Sequence, residues 1–328
     1  MRLRAATERL KTEVIRAKTT RMAVAAGLAV LAAISSRGTV AVEEVITIIP
    51  PNQYVYEKGA QTQLALLEKA LRITAKNAGV RVETADVKTG GDRAAQIKTI
   101  AGLVKNGAVD VLLADAGFMM ELHDAGVDMH PFISIKANGS HGYKECLFVR
   151  KDDNRSGLRH FRGATISGWG FDSMRMMLYD ASIDSPVHEH FGKVVHIDGF
   201  HISWLRALEK KEIDGFVAGI LGMSFALATQ PALMKNVKPL VCSDYKPFPA
   251  ILISDSVSRE KEAALIRGFS SDATKSAIDK HLSFFTAKMK WRLELVSEAE
   301  WDDLMSKALK VRAMAAAMGW TKEPTWSK

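Results

Sequence analysis

A helix-to-strand turn that occurs twice limits the architecture of this chain more than any other feature of its sequence. The first copy runs Lys105-Asn106-Gly107-Ala108-Val109-Asp110 into Val111-Leu112-Leu113-Ala114. The second runs Lys210-Lys211-Glu212-Ile213-Asp214 into Gly215-Phe216-Val217-Ala218-Gly219. Each follows a helical pattern, and each puts an Asp at the start of a short apolar run of strand type. One turn used in both halves predicts two similar α/β lobes with a cleft between them, and such a cleft suits a small molecule.

The rest of the pattern fits that layout. Val45 to Ile49 is a β-branched run stopped by Pro50-Pro51, which predicts an opening strand. Leu64, Leu67, Leu71 and Ala75 recur at helical spacing over residues 60–78, and Gly79 follows as a C-terminal stop. Residues 80–87 alternate as a strand, Gly90-Gly91 turns the chain, and Asp92 can cap a helix over residues 93–105. Short apolar strands alternating with helices predict a parallel sheet covered on both faces. The alternation restarts after the polar stretch 151–156. Strands are expected at 164–167, 194–197, 213–218 and 237–241, with helices beginning near Ser173 and Ser203. Ala250 to Ser254 is expected as a strand returning to the first lobe, and residues from about 259 onward as largely helical, with Trp291, Trp301, Met305, Leu309 and Met314 on apolar faces. The second lobe is then an insertion, and the two crossover segments form a hinge.

The net charge of +8 would suit nucleic acid if it were spread over the molecule. Residues 1–41, however, hold eight of the 45 Lys and Arg residues and two of the 37 acids, so the remainder carries only +2. Nucleic acid is therefore not an expected partner. The basic segment precedes a thirteen-residue apolar run, Met22 to Ile34, with Ser35, Ser36 and Gly38 after it. That is the order of an export signal, and the run is shorter than the roughly 20 residues a membrane-spanning helix needs. Thr39 and Ala41 permit cleavage after Ala41; an amphipathic N-terminal helix is the alternative. Two cysteines, Cys146 and Cys242, lie near the crossovers. They are either bridged, as export allows, or two buried thiols.

The segment His141 to Asp153, the region Leu158 to Gly168, the turn Gly107 to Asp110, and Gly199-Phe200-His201 leading to Ile213-Asp214 together resemble the periplasmic solute-binding proteins of phosphate/phosphonate ABC transporters. The resemblance covers nearly all of the chain after the leader. It implies the type II periplasmic binding protein fold: α/β, two Rossmann-like lobes, the second inserted in the first and joined by two crossover strands. It also implies a periplasmic location, an inner-membrane ABC permease as partner and a small polar or anionic ligand held by hinge closure, with a monomer as the working form. The corresponding limits are 1–41 for the leader, 42–147 for lobe 1, 148–250 for lobe 2 and 251–328 for the return to lobe 1. Phosphonate binders of the family open the first helix of the second lobe with Ser-Thr-Ser-Gly. Here the matching residues are Gly170-Phe171-Asp172-Ser173-Met174, so only Ser173 keeps a hydroxyl and Asp172 adds a negative charge. The ligand's identity is left open at this point, and Asp172 is expected as an N-cap.

In a two-lobe binder the ligand meets the loops at the C-terminal ends of strands. These select Asn52, Gln53, Tyr54 and Tyr56 after the first strand, and Asp115, Gly117 and Phe118 after residues 109–114. In the second lobe they select Trp169, Gly170, Asp172, Ser173 and His201. Asn, Gln, Tyr and Ser supply directed hydrogen bonds, Trp169 or Phe118 could stack on a flat ligand, and a protonated His201 could donate to an anion. Asp110 and Asp214 open their strands at the opposite end and are assigned to turn chemistry. His188, Glu189, His190, His196 and His201 are close in sequence, but they are spread over a Pro-containing loop and a strand, and no metal or cofactor is expected. There is no P-loop, nucleophile elbow or GxGxxG after a strand. Catalysis is therefore not expected; the alternatives are an enzyme on the same two-lobe fold acting on a small phosphorylated or pyrimidine-like substrate, in which His201 could pair with Asp172 or Asp244 as acid and base, and a ligand-sensing accessory.

Overall fold

Each copy of the turn feeds a separate sheet in the computed structural model, which describes residues 44–51, 61–85, 87, 93–127, 129–168, 171–197 and 201–320. The leader and its cleavage position, the loop with Asn52, Gln53, Tyr54 and Tyr56, the pair Trp169 and Gly170, and the cap at Asp92 lie outside the described residues.

The first sheet has six strands. They are β1 (Glu44–Ile48), β2 (Val80–Thr84), β3 (Val111–Ala114), β4 (Met129–Ala137), β12 (Ala250–Ser254) and β13 (Trp291–Leu295), in the order β13-β4-β12-β3-β1-β2. The second has five: β6 (Glu145–Arg150), β7 (Thr165–Gly168), β8 (Lys193–Val195), β9 (Gly215–Gly219) and β10 (Val237–Cys242), in the order β10-β6-β9-β7-β8. Two-residue strands β5 (Gly142–Tyr143) and β11 (Lys246–Pro247) pair antiparallel where the chain crosses between the sheets.

The sheets are mixed, which corrects the expectation of parallel sheets. β1 with β3, and β7 with β8 and β9, are parallel, but β12 is antiparallel to both β3 and β4, and β6 is antiparallel to β9 and β10. The physical reason is the double crossing. The strands that bring the chain into a lobe, β6 into the second and β12 back into the first, run against the strands of its βα units. The same correction applies to Trp291, which starts β13, not a helix, and pairs with Ala137 of β4.

Helices cover both faces of each sheet. Around the first are α1 (Gln61–Ala78), α2 (Arg93–Lys105), α3 (Ala116–Asp124), then α7 (Arg259–Ser270), α8 (Asp272–Met289) and α9 (Glu298–Ala317). Around the second are α4 (Phe171–Asp180), α5 (His201–Glu209) and α6 (Ile220–Thr229). The apolar stripe expected on residues 60–78 is buried: Leu64, Leu67, Leu71 and Ala75 pack with Ile46, Ile48 and Leu113 on one face of the first sheet. Leu112, Met119, Trp301 and Met305 fill the other face. Two further clusters, one around Phe161, Ile166 and Met174 and one around Phe148, Trp204 and Phe216, flank the second sheet.

The duplicated turn is built from the same bonds in both lobes. Gly107 has φ 70° and Lys211 φ 62°, the left-handed conformation that ends a helix. Gly107 N–H donates to Val104 and Ala108 N–H to Leu103; Lys211 N–H donates to Leu208 and Glu212 N–H to Ala207. Each Asp then clamps the neighbouring parallel strand. Asp110 Oδ2 accepts from Thr47 N–H at 2.8 Å and Asp214 Oδ2 from Thr165 N–H at 2.8 Å. Their own N–H groups donate back to the Thr47 and Thr165 carbonyls. The aspartates therefore set strand register (Ile48 beside Val111, Ile166 beside Gly215) at the ends away from the cleft.

The two cysteines are bridged. Cys146 of β6 and Cys242 of β10 are directly opposite in register and form a disulfide, so the loop it closes contains β7, β8 and β9 of the second sheet.

Candidate functional site

The C-terminal ends of β3, β7 and β9 point toward the crossover ribbon β5/β11. In lobe 1, Asp115 caps α3: its Oδ1 accepts from the Phe118 N–H at 2.9 Å, and the carboxylate is buried. The Phe118 ring is 1% exposed and packs in the lobe's core, so it does not present a face for stacking. Gly117 lies in the first turn of the same helix.

In lobe 2, β7 ends at Gly168 against the start of α4; a Cβ there would lie 2.8 Å from the Met174 methyl and 3.1 Å from Val217. That close approach places Ser173 in the first turn of α4 with no exposed surface, and among the described residues its Oγ has no hydrogen-bond partner. Ser173, Met176 and Asp180 share one helical stripe (i, i+3, i+7), and Met176 is buried in the core cluster of lobe 1. This side of α4 therefore faces the other lobe. Asp172 is not the cap, because the helix begins at Phe171. It sits in the first turn and accepts from Arg175 Nη1 at 2.9 Å. An acid there suits the helix dipole, and its pairing with Arg175 offsets the charge that would otherwise repel an anion.

His201 opens α5, edge-on to Trp204 with ring centroids 5.6 Å apart. Its ring lies against Gly222 of α6, where any Cβ would fall 2.3 Å from Nε2. Burial pushes its pKa below the usual 6.5, with the Glu145 carboxylate pulling weakly the other way. The imidazole is therefore neutral at pH 7, which corrects the expectation of a protonated donor: it can offer one ring N–H but no charge.

The floor beneath these residues was not visible in the sequence. Lys246 of β11 and Glu145 of β6 form an ion pair at 3.1 Å with side chains only 7% and 12% exposed. The ammonium lies 5.2 Å from the centre of the Tyr143 ring, and Tyr143 stacks on Phe248 at 4.9 Å. Tyr143 also approaches Gly219 at the end of β9, where a Cβ would be 3.6 Å from the ring. Tyr143 and Glu145 belong to the crossover segment singled out above, but nothing local marks Lys246 as buried.

Among the described residues no group of three His, Cys, Asp or Glu side chains is placed to hold a metal ion. His190 is buried, with Nε2 3.0 Å from the Leu158 carbonyl, while His188 is exposed.

A buried and a half-buried histidine, His141 and His201, predict a pH effect. Burial is also the main cause that lowers the pKa of His141, whose Nδ1 lies 3.2 Å from the Ile135 carbonyl. For a histidine whose folded pKa is below the unfolded value of about 6.5, the unfolded chain takes up the proton first as pH falls. Its contribution to stability is present above that pH and is lost as pH drops through the folded pKa. Melting temperature is thus expected to fall between pH 7.5 and 5.5, and His141→Gln/His201→Gln to lose less over that range. Equal losses in the two proteins would contradict this.

Comparison with known proteins identifies the family. Residues 55–286 match the family of periplasmic substrate-binding proteins of phosphonate ABC transporters. No curated relative matches the sequence. Among solved structures, a binding protein component of an ABC phosphonate transporter from Pseudomonas aeruginosa aligns with a TM-score of 0.55 at 16% identity, over 84% of this chain and 89% of that one. A Xanthomonas citri protein bound to ATP aligns with a TM-score of 0.56 at 15% identity, over 82% and 98%. PhnD1 from Prochlorococcus marinus in complex with methylphosphonate aligns with a TM-score of 0.51 at 13% identity, over 82% and 98%. These likenesses show the two-lobe type II binding-protein fold. The family match spans more than half of the chain, and the chain belongs to that family: it is a solute-binding component of an ABC transporter.

Proposed function

We propose that this protein captures a small phosphorus oxyanion, a phosphonate or phosphate, where β3, β7 and β9 end, and closes on it by bending at β5 and β11. Ser173 carries the reading. A fully buried hydroxyl with no partner is unfavourable by about 1–3 kcal/mol, and a ligand oxygen would relieve it. The first turn of α4 adds backbone N–H groups and the positive end of the helix dipole, which favour an anion. Arg175 already neutralises Asp172, so the acid that departs from the family's hydroxyl run does not oppose one. Two of the similar structures hold methylphosphonate and ATP, and both ligands carry phosphorus–oxygen groups.

The neutral His201 would add one ring N–H, and Tyr54, Asn52 and Trp169 would complete the contacts. Asp115 and Phe118 serve by shaping the lobe 1 wall. Ligand contacts to both lobes would favour the closed form, which an inner-membrane permease would then recognise. In this reading residues 1–41 direct export to the periplasm, residues 42–147 and 251–328 form one lobe and 148–250 the other, and the protein works as a monomer without catalysis.

Thermal denaturation with methylphosphonate, phosphate and an alkylsulfonate tests it. Ligand at a hundred times its dissociation constant stabilises a protein by about 2.7 kcal/mol, a rise of several degrees. Ser173→Ala is expected to weaken binding at least tenfold while leaving the unliganded melting temperature unchanged or higher, because it removes the orphaned hydroxyl. A lower unliganded melting temperature with unchanged affinity would make Ser173 structural. Turnover of any of these compounds would favour an enzyme.

A further inference from the structure

The C-terminal helix α9 belongs to lobe 1 by its core: Trp301, Leu304, Met305, Ala308 and Val311 are buried along one stripe, and most of them pack with Leu112 and Met119. Lys307 stands beside that stripe and reaches out of the lobe. Its Nζ lies 2.8 Å from Oδ1 of Asp180, the last residue of α4 in lobe 2, and 2.9 Å from Oδ2 of Asp244 in the returning crossover. One turn further on, Lys310 Nζ lies 5.8 Å from the centre of the Tyr179 ring, also on α4. Met176 of α4 is buried in the same core cluster as Trp301, Met305, Ala308 and Val311 of α9.

We propose that α9 is an interlobe latch in which Lys307 sets the angle between the lobes. The proposal rests on the reading that the lobes move, since a latch has no task in a rigid molecule. Lys307 is a positioning residue and touches no proposed ligand contact. An isolated surface ion pair contributes little, but this ammonium joins three separately moving parts: lobe 1, lobe 2 and the hinge. Without it, the Asp180 and Asp244 carboxylates, which converge on the same nitrogen, would face each other unneutralised and repel. The hydrogen bonds hold the Lys307 pKa above and the Asp244 pKa below their ordinary values, so these two groups stay charged across the neutral range. Removing the lysine therefore does more than delete an attraction. It converts a link into a spring that opens the lobes.

Distances between spin labels at Lys98→Cys in lobe 1 and Lys193→Cys in lobe 2, both exposed positions, measure the angle without any ligand. Lys307→Met is expected to broaden the distance distribution and shift its mean, and Asp180→Asn to do so more weakly. The charge swap Lys307→Asp/Asp180→Lys, made together with Asp244→Asn so that no second carboxylate faces position 307, is expected to restore the narrow distribution, which a general loss of packing would not. Unchanged distributions in both single variants, or a swap that behaves like Lys307→Met, would overturn the latch. With methylphosphonate added, the binding-competent protein is expected to narrow its distribution further. Absence of that narrowing while the ligand-free variants differ would count against the binding reading and leave the latch standing.

Discussion

Lys246→Met is expected to lower stability by about 3–5 kcal/mol, seen as a fall in melting temperature of about 6 °C or more. The substitution keeps most of the side chain's volume and removes the charge. What it leaves is Glu145, 12% exposed at the start of β6, without the ammonium that sits 3.1 Å away. An unpaired buried carboxylate is the main penalty, because the low dielectric that strengthens a pair also raises the cost of separating it. Glu145→Gln should be damaging for the complementary reason. The double variant Lys246→Met/Glu145→Gln is expected to be less destabilised than the two singles added together, by about 1 kcal/mol or more, since neither charge is then stranded. Strict additivity would show that the pair does not hold the crossover. Because Lys246 is on β11 and Glu145 begins β6, the damage should fall at the hinge and impair closure as well as folding.

Breaking the Cys146–Cys242 bridge is the second large effect. The bond spans 96 residues of sequence and joins the strand that enters lobe 2 to the strand that leaves it. Cross-linking a loop of about 100 residues removes unfolded-state freedom worth about 4.7 kcal/mol in the chain-entropy model, while measured losses for native disulfides run about 2–5 kcal/mol. Cys146→Ser/Cys242→Ser, or reduction of the native protein, should therefore lower the melting temperature by several degrees. Hydrogen exchange should rise first in β6, β10 and β9, which the bridge holds in register. Titration of the unreduced, denatured protein with a thiol reagent should find none. Two reactive thiols, or an unchanged melting temperature on reduction, would refute the role assigned to the bridge.

Much of the architecture was legible because it is locally encoded. Gly107 and Lys211 lie within one turn of the helix-ending bonds they make to Val104 and Leu208, so a repeated string reported a repeated structure, while the Asp110 and Asp214 clamps reach 63 and 49 residues back to Thr47 and Thr165. The second copy puts Lys211 where a glycine would be at ease, and the Asp clamp made the match readable despite it. Strand order was less legible. β4 pairs with β13 on one side and with β12 on the other through contacts between distant segments, and the apolar residues of 291–295 suit a helix or a strand equally by composition. At the site, Ser173 and His201 stood out as polar groups after strands, yet their states depend on neighbours in space. The orphaned hydroxyl needs the Gly168–Met174 approach, and the neutral imidazole needs burial against Gly222 and Trp204. The Asp172–Arg175 pair follows i, i+3 spacing, although from sequence Asp172 is expected as a cap instead. Glu145–Lys246 and Lys307–Asp180 were not visible, because long-range pairing leaves no local mark.

The central claim is that the cleft between the lobes binds a phosphorus oxyanion. Isothermal titration of the purified, oxidised protein with methylphosphonate and phosphate at pH 7.5 tests it most directly. Saturable binding at one site per chain by at least one of the two, weakened at least tenfold in Ser173→Ala, is the predicted result. Heats of dilution alone for both compounds would contradict it.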